Sequence, residues 1–266
     1  MPNKEDMKLS PNQLGLTQRE IMYIFVFKML SQGSSHPAEL FSQLQERVPQ
    51  DFLKSRTNFY AAMEEMVKFG WITFVTEGRR KNFSIASPGA EKMQWYKNTY
   101  YIPLSSVKVI ANSLITKITG SSRDPVPESA KQHAKLFNRL INVRDLVIFF
   151  FLEALHRTKD LTAKEVYDII RQEYGWNCSE GYIYELAHEL EGEVDKTDQT
   201  EERIPLIKGE WEGGRRRRNY RYRLTHEGLQ MRTHAGDTAL TYIKNVHRYL
   251  RAIVELLQED LITAVE

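Results

Sequence analysis

The chain has 266 residues, 41% of them hydrophobic and 27% charged, which is long enough for two modest cores and ordinary for a soluble globular protein. Its net charge is only +2, so whole-chain charge argues for no partner and any strongly basic surface must be local. The single cysteine, Cys178, excludes an internal disulfide and a cysteine-built zinc site, and the longest apolar run, Leu146 to Leu152, is far too short to span a membrane.

With an N-terminus, MPNKEDMKLS, that offers no apolar signal core, these features set the expectation of a reducing, cytoplasmic setting. Residues 1–15 are polar and read as a flexible tail. At Leu16 the pattern changes. Thr17 is placed as an N-cap with Glu20 as its capping-box partner, and a strongly apolar helix follows to about Leu30. A second helix carries Leu40, Phe41, Leu44 and Val48 at helical spacing, and Pro49 ends it. A third starts near Ser55, turns Phe59, Met63, Met66 and Val67 inward and closes at Gly70. Trp71 to Ser87 reads as a hairpin that turns at Glu77-Gly78, with Arg79, Arg80 and Lys81 following, and Ser87-Pro88-Gly89 starts another helix.

Helix, helix, helix, basic hairpin, helix is the order of a winged helix-turn-helix, and the chain runs through it twice. Arg144 to Leu155 repeats Arg19 to Leu30, Ala163 to Tyr167 matches Pro37 to Phe41, and Ser179, Ile183 and Tyr184 keep the spacing of Ser55, Phe59 and Tyr60. The second hairpin places Gly213-Gly214 and the run Arg215, Arg216, Arg217, Arg218 at its tip. Tyr220, Tyr222 and Leu224 then fall on one face and Arg221 and Arg223 on the other, as suits a strand that buries one side and shows cations to an anion. Seven Lys or Arg stand against two Glu from Leu206 to Arg223, and the planar fork of arginine matches phosphate. The halves differ before this hairpin, where an acidic insert, Glu191 to Pro205, is expected to form a surface loop.

Between the halves lie an aromatic cluster (Trp95, Tyr96, Tyr100, Tyr101), an apolar stripe from Leu104 to Ile118 and a linker by composition, Gly120 to Pro127. The last helix, His234 to Asp260, is expected to be the longest, with Leu240, Ile243, His247, Leu250, Val254 and Leu257 at heptad spacing. The expected layout is a tail at 1–15, a first winged unit at 16–98, a connector helix and linker at 99–135, a second winged unit at 136–232 and a C-terminal dimerisation helix at 233–266. In fold class this is mainly α with small β-hairpins, α+β. No phosphate-binding loop, zinc-protease or nucleophile-elbow pattern is present. The chain therefore reads as a non-enzyme with no metal or cofactor.

The second half resembles the PadR family of bacterial transcriptional regulators. The likeness rests on Ser179, Ile183-Tyr184, Leu186, Leu190-Glu191, Leu206-Ile207, the glycine-arginine hairpin, and Tyr222-Arg223-Leu224-Thr225 with Glu227-Gly228. The first half keeps Tyr60 and Gly70 and departs from the closing pattern at Ile85 to Gly89. The resemblance implies a homodimeric DNA-binding repressor whose long C-terminal helix joins two chains.

In a helix-turn-helix the second helix of the motif reads the major groove. The expected readers are Lys54, Ser55, Arg56, Thr57, Asn58 and Tyr60 in the first half, and Ser179, Tyr182 and Tyr184 in the second. Arg56 suits guanine and Asn58 adenine. Arg79, Arg80 and Lys81, Arg215 to Arg218, and Arg221 would lie along the backbone or in the minor groove. The expected partners are double-stranded DNA and a second copy of the chain, with no membrane, although pairing of the two stripes inside one chain would bury them equally. Two other readings use the same residues: a plasmid or phage replication or architectural protein on duplex DNA, and an adaptor whose winged helices dock on protein.

Overall fold

The computed structural model describes residues 15–33, 35–48, 55–78, 80–121, 126–140, 143–173, 178–192, 204–213 and 219–258. Residues 1–14 of the expected tail at 1–15, Lys54, Arg79, most of the acidic insert and Arg215, Arg216, Arg217 and Arg218 lie outside the described residues. The fold is mainly helical with two separate antiparallel hairpins. Among the described residues, no helix is long and apolar enough to cross a membrane.

In chain order the first elements are α1 (Gln18–Ser31), α2 (Pro37–Arg47), α3 (Arg56–Lys68), β1 (Ile72–Glu77), β2 (Arg80–Ile85) and α4 (Ser87–Ile118). Thr17 caps α1, and its exchange of hydrogen bonds with Glu20 completes a capping box. Ser55 Oγ accepts the Asn58 amide at 3.2 Å and starts α3, which Gly70 follows in the left-handed region at φ +67°. Short helices α5 (Glu128–Lys131) and α6 (Ala134–Asn138) precede the second series: α7 (Val143–Arg157), α8 (Ala163–Gln172), α9 (Glu180–Leu190), β3 (Ile207–Trp211), β4 (Tyr220–Leu224) and α10 (His226–Leu257).

Two compact units emerge. Unit 1 comprises residues 1–110, 129–140 and 245–266, and unit 2 comprises 111–128 and 141–244. In unit 1 every residue of α1 from Ile21 to Leu30 is buried, Lys28 included, so this helix is the centre of its core rather than an amphipathic cover. Lys28 Nζ donates to the Gln258 carbonyl at 2.8 Å and ties the end of α10 to α1. In unit 2 the corresponding centre is α7, with Phe150, Phe151 and Leu152 fully buried. Arg232 on α10 donates to Glu153 on α7 at 2.6 Å.

The units repeat each other in detail. Arg19 pairs with Glu65 across α1 and α3, and Arg144 pairs with Glu189 across α7 and α9. A single antiparallel bridge joins Ser35 to Phe83 in one unit and Leu161 to Tyr222 in the other. Trp71 O accepts the Ala86 amide, as Leu206 O accepts that of Thr225. Gly89 follows Ala86, and Gly228 follows Thr225, at the same distance along the chain. The first half's departure at Ile85 to Gly89 is therefore a change of side chains upon an unchanged backbone.

Three expectations are corrected. No break falls at 98/99: α4 is one helix of 32 residues from Ser87, with Pro103 inside it. The terminal helix is not the longest, because α10 begins at His226 and also has 32 residues. Finally, Leu240, Ile243, His247, Leu250, Val254 and Leu257 are not an open seam awaiting a second chain. Ile243, Leu250, Val254 and Leu257 are each at most 3% exposed within one chain, and Leu240 and His247 are half-buried. The matching residues of α4, Leu104, Val107, Ala111 and Leu114, are fully buried too. These stripe residues, covered within the chain, have little further apolar area to bury against a second copy.

Candidate nucleic-acid interface

In unit 1 the first turn of α3 carries Ser55, Arg56, Thr57 and Asn58, all exposed. Phe59, fully buried, anchors that turn to the core; Thr57 and Asn58 are turned away from its face, and Arg56 is exposed because it stands at the helix start. Arg56 lies over the Tyr60 ring, 5.5 Å from its centroid, and donates to the Tyr60 hydroxyl at 3.2 Å. Tyr60 thus holds the guanidinium against the helix instead of leaving it to wander. On the hairpin Arg80 and Lys81 are exposed, and the Lys81 ammonium sits 4.5 Å above the Phe74 ring. His36 Nδ1 is 2.8 Å from the Lys81 carbonyl, which fixes the start of α2 to the hairpin strand.

The two elements face one groove of about 360 Å³, with Tyr60, Met63 and Val67 of α3 on one side and Phe74, Lys81 and Phe83 of the hairpin on the other. Among the side chains described, which do not include that of Glu77, the register partner of Arg80, no carboxylate lies within ion-pair distance of Arg56, Arg80 or Lys81. These cations are on offer to a ligand. An exposed cation without a carboxylate partner can meet a phosphate without first releasing an anion of the protein.

Unit 2 is built differently. Ser179 caps α9 through the Tyr182 amide at 3.2 Å, Tyr182 is half-buried, and Tyr184 is exposed. Burial pushes the Tyr182 hydroxyl above its ordinary range. Glu180, at the head of α9, lies 4.0 Å from Lys164. No arginine or lysine stands in that first turn.

Arg221, expected to reach for phosphate, is already engaged. Its Nε donates to Glu212 at 3.1 Å, its Nη1 lies 3.4 Å from Glu165, and Nη1 also donates to the Asp160 carbonyl. Arg223 donates to the Asp160 carboxylate. Hydrogen bonds from Asn219 and Arg221 hold the Glu212 carboxyl below its usual range, and bonding to Glu212 and Asp160 raises the two guanidinium groups further. The immediate anions of both arginines are the protein's own. Asp160 sits at φ +62°, a left-handed conformation that aspartate tolerates better than most residues.

Sequence reasoning missed Asp160, Glu165 and Glu212 as partners. The signal for Glu212 was available, since Glu210 and Glu212 alternate along the first hairpin strand, Glu210 opposite Arg221 and Glu212 opposite Asn219, one diagonal step from Arg221. Asp160 and Glu165 come from another part of the chain, and only folding brings them near. Compared with models of known families, with curated proteins and with solved structures, the chain gives no significant match.

Proposed function

We propose that the chain is a double-stranded DNA-binding transcriptional regulator, acting as a repressor and built from two winged helix-turn-helix units of the kind the PadR resemblance implies. The observation that carries this reading is the set Arg56, Arg80 and Lys81: three exposed cations, from the head of α3 and from the hairpin, without carboxylate partners among the side chains described. Asn58 beside Arg56 adds a side chain able to read adenine, as Arg56 can read guanine. The repeated element order, the paired Arg–Glu ties and the buried stripes support one chain that supplies both units, where a regulator with one unit would need two chains.

The test is selection of duplexes from a random pool. Wild type should recover a recurring sequence, and Arg56→Ala with Asn58→Ala should lose the preference while still binding duplex. Recovery of no sequence at any salt concentration would remove the regulator reading.

A further inference from the structure

We propose that the cleft between the β3–β4 hairpin and the α7–α8 turn is a phosphate subsite for a duplex backbone, held closed by Asp160 and Glu212 until phosphate replaces them. It rests on the DNA-binding reading above. The cleft encloses about 380 Å³ within unit 2, with Lys208, Arg221 and Arg223 on its walls among Asp160, Glu210 and Glu212. Arg221 and Arg223 are two residues apart on β4, so both forks leave the same face of the strand. Three cations on one small surface form a site for a dianionic stretch of backbone, and three carboxylates now occupy it.

The carboxylates are not equally fixed. Glu165 also accepts the Thr162 amide at 2.7 Å and the Thr162 hydroxyl at 3.0 Å, closing the capping box of α8. It stays in place and orients Arg221. Exposure does not separate the three, with Glu212 55%, Glu165 45% and Asp160 41% exposed, and Asn219 also donates to Glu212 at 3.1 Å. What separates them is that neither Glu212 nor Asp160 closes a helix cap, and their pairs with arginine are of the surface kind that contributes little to stability. A backbone phosphodiester offers a guanidinium fork the same pair of acceptor oxygens and the same single charge as a carboxylate, so it can take the carboxylate's place bond for bond, and the counterions released by the duplex drive the exchange. Asp160 and Glu212 therefore set how much of the second hairpin's cation a duplex can use.

The experiment is a salt titration of duplex binding by wild type, by Asp160→Asn/Glu212→Gln, and by the control Asp168→Asn/Asp237→Asn, which removes the same charge elsewhere in unit 2. Asparagine tolerates the left-handed backbone at 160, so the double variant should melt like wild type. It should bind about three- to tenfold tighter at low salt, with a log affinity against log salt slope steeper by about one to two, and the control should change far less. Adding Arg223→Gln should cancel most of the gain. A double variant that gains no more than the control overturns the subsite, as does a folded one that binds more weakly. If wild type binds no duplex at all, the DNA reading falls and the subsite with it; if wild type binds and the double variant does not respond, the subsite alone falls.

Discussion

Gly89 and Gly228 occupy the same step of the two units: a Cβ at Gly89 would come within 2.1 Å of the Trp71 carbonyl oxygen, and one at Gly228 within 1.9 Å of that of Leu206. Each long helix starts by pressing its first turn on the strand that leads into its hairpin. Gly89→Ala and Gly228→Ala should each lower stability by about 1–3 kcal/mol, because backbone rather than a mobile side chain must give way. Gly181→Ala on α9 meets nothing within 4 Å and should be neutral or stabilising by up to about 1 kcal/mol. Denaturant midpoints measured on the three variants check the order.

Leu250 is fully buried in the single chain. Leu250→Asp should therefore destabilise the fold by on the order of 3–5 kcal/mol instead of separating two folded chains. Sedimentation of wild type at micromolar concentration should give one species near the chain mass of 31.2 kDa. A species of twice that mass, split by Leu250→Asp into folded halves, would restore the seam expected from the heptad pattern.

Burial holds the hydroxyls of Tyr96 and Tyr249 far above the ordinary tyrosine range, and for Tyr23 burial is joined by its hydrogen bond to Glu65. A group whose pKa is raised on folding stabilises the protein below its unfolded value, and that contribution fades as pH rises toward the folded value. Stability should thus fall above about pH 10, where unfolded tyrosines ionise. Tyrosinate absorbance should appear together with loss of helix. A smooth titration of every tyrosine in a protein that stays folded would contradict this burial.

Much of the architecture was legible because it is local. The capping box of Thr17 and Glu20, the caps at Ser55 and Ser179, and the turn at Gly78 are each specified within a few residues. The repeat was legible as well, since Ser55, Phe59 and Tyr60 share their spacing with Ser179, Ile183 and Tyr184. What escaped was decided by tertiary context. Pro103 does not interrupt α4, and a heptad stripe looks the same in sequence whether its cover comes from this chain or another. At the candidate site, exposure of Arg56 followed from its place as the first residue of α3, most of a turn before Phe59 begins the buried face. The fate of Arg221 did not, because Asp160 and Glu165 lie some sixty residues away in sequence.

Asn58→Ala should relax discrimination at one base-pair position by about 1–3 kcal/mol, leaving binding to unrelated duplexes nearly unchanged. Tyr182→Phe should do less, since Tyr182, in the first turn of α9, is half-buried. Competition between the selected duplex and its single-base variants measures both.

The most direct measurement is the salt dependence of duplex affinity for wild type and for Arg56→Ala/Arg80→Ala/Lys81→Ala. Exposed cations that touch phosphate release counterions, so the triple variant should bind all duplexes more weakly and flatten the log–log slope by on the order of two to three. An unchanged slope in a folded triple variant would contradict the claim that this face of unit 1 meets DNA.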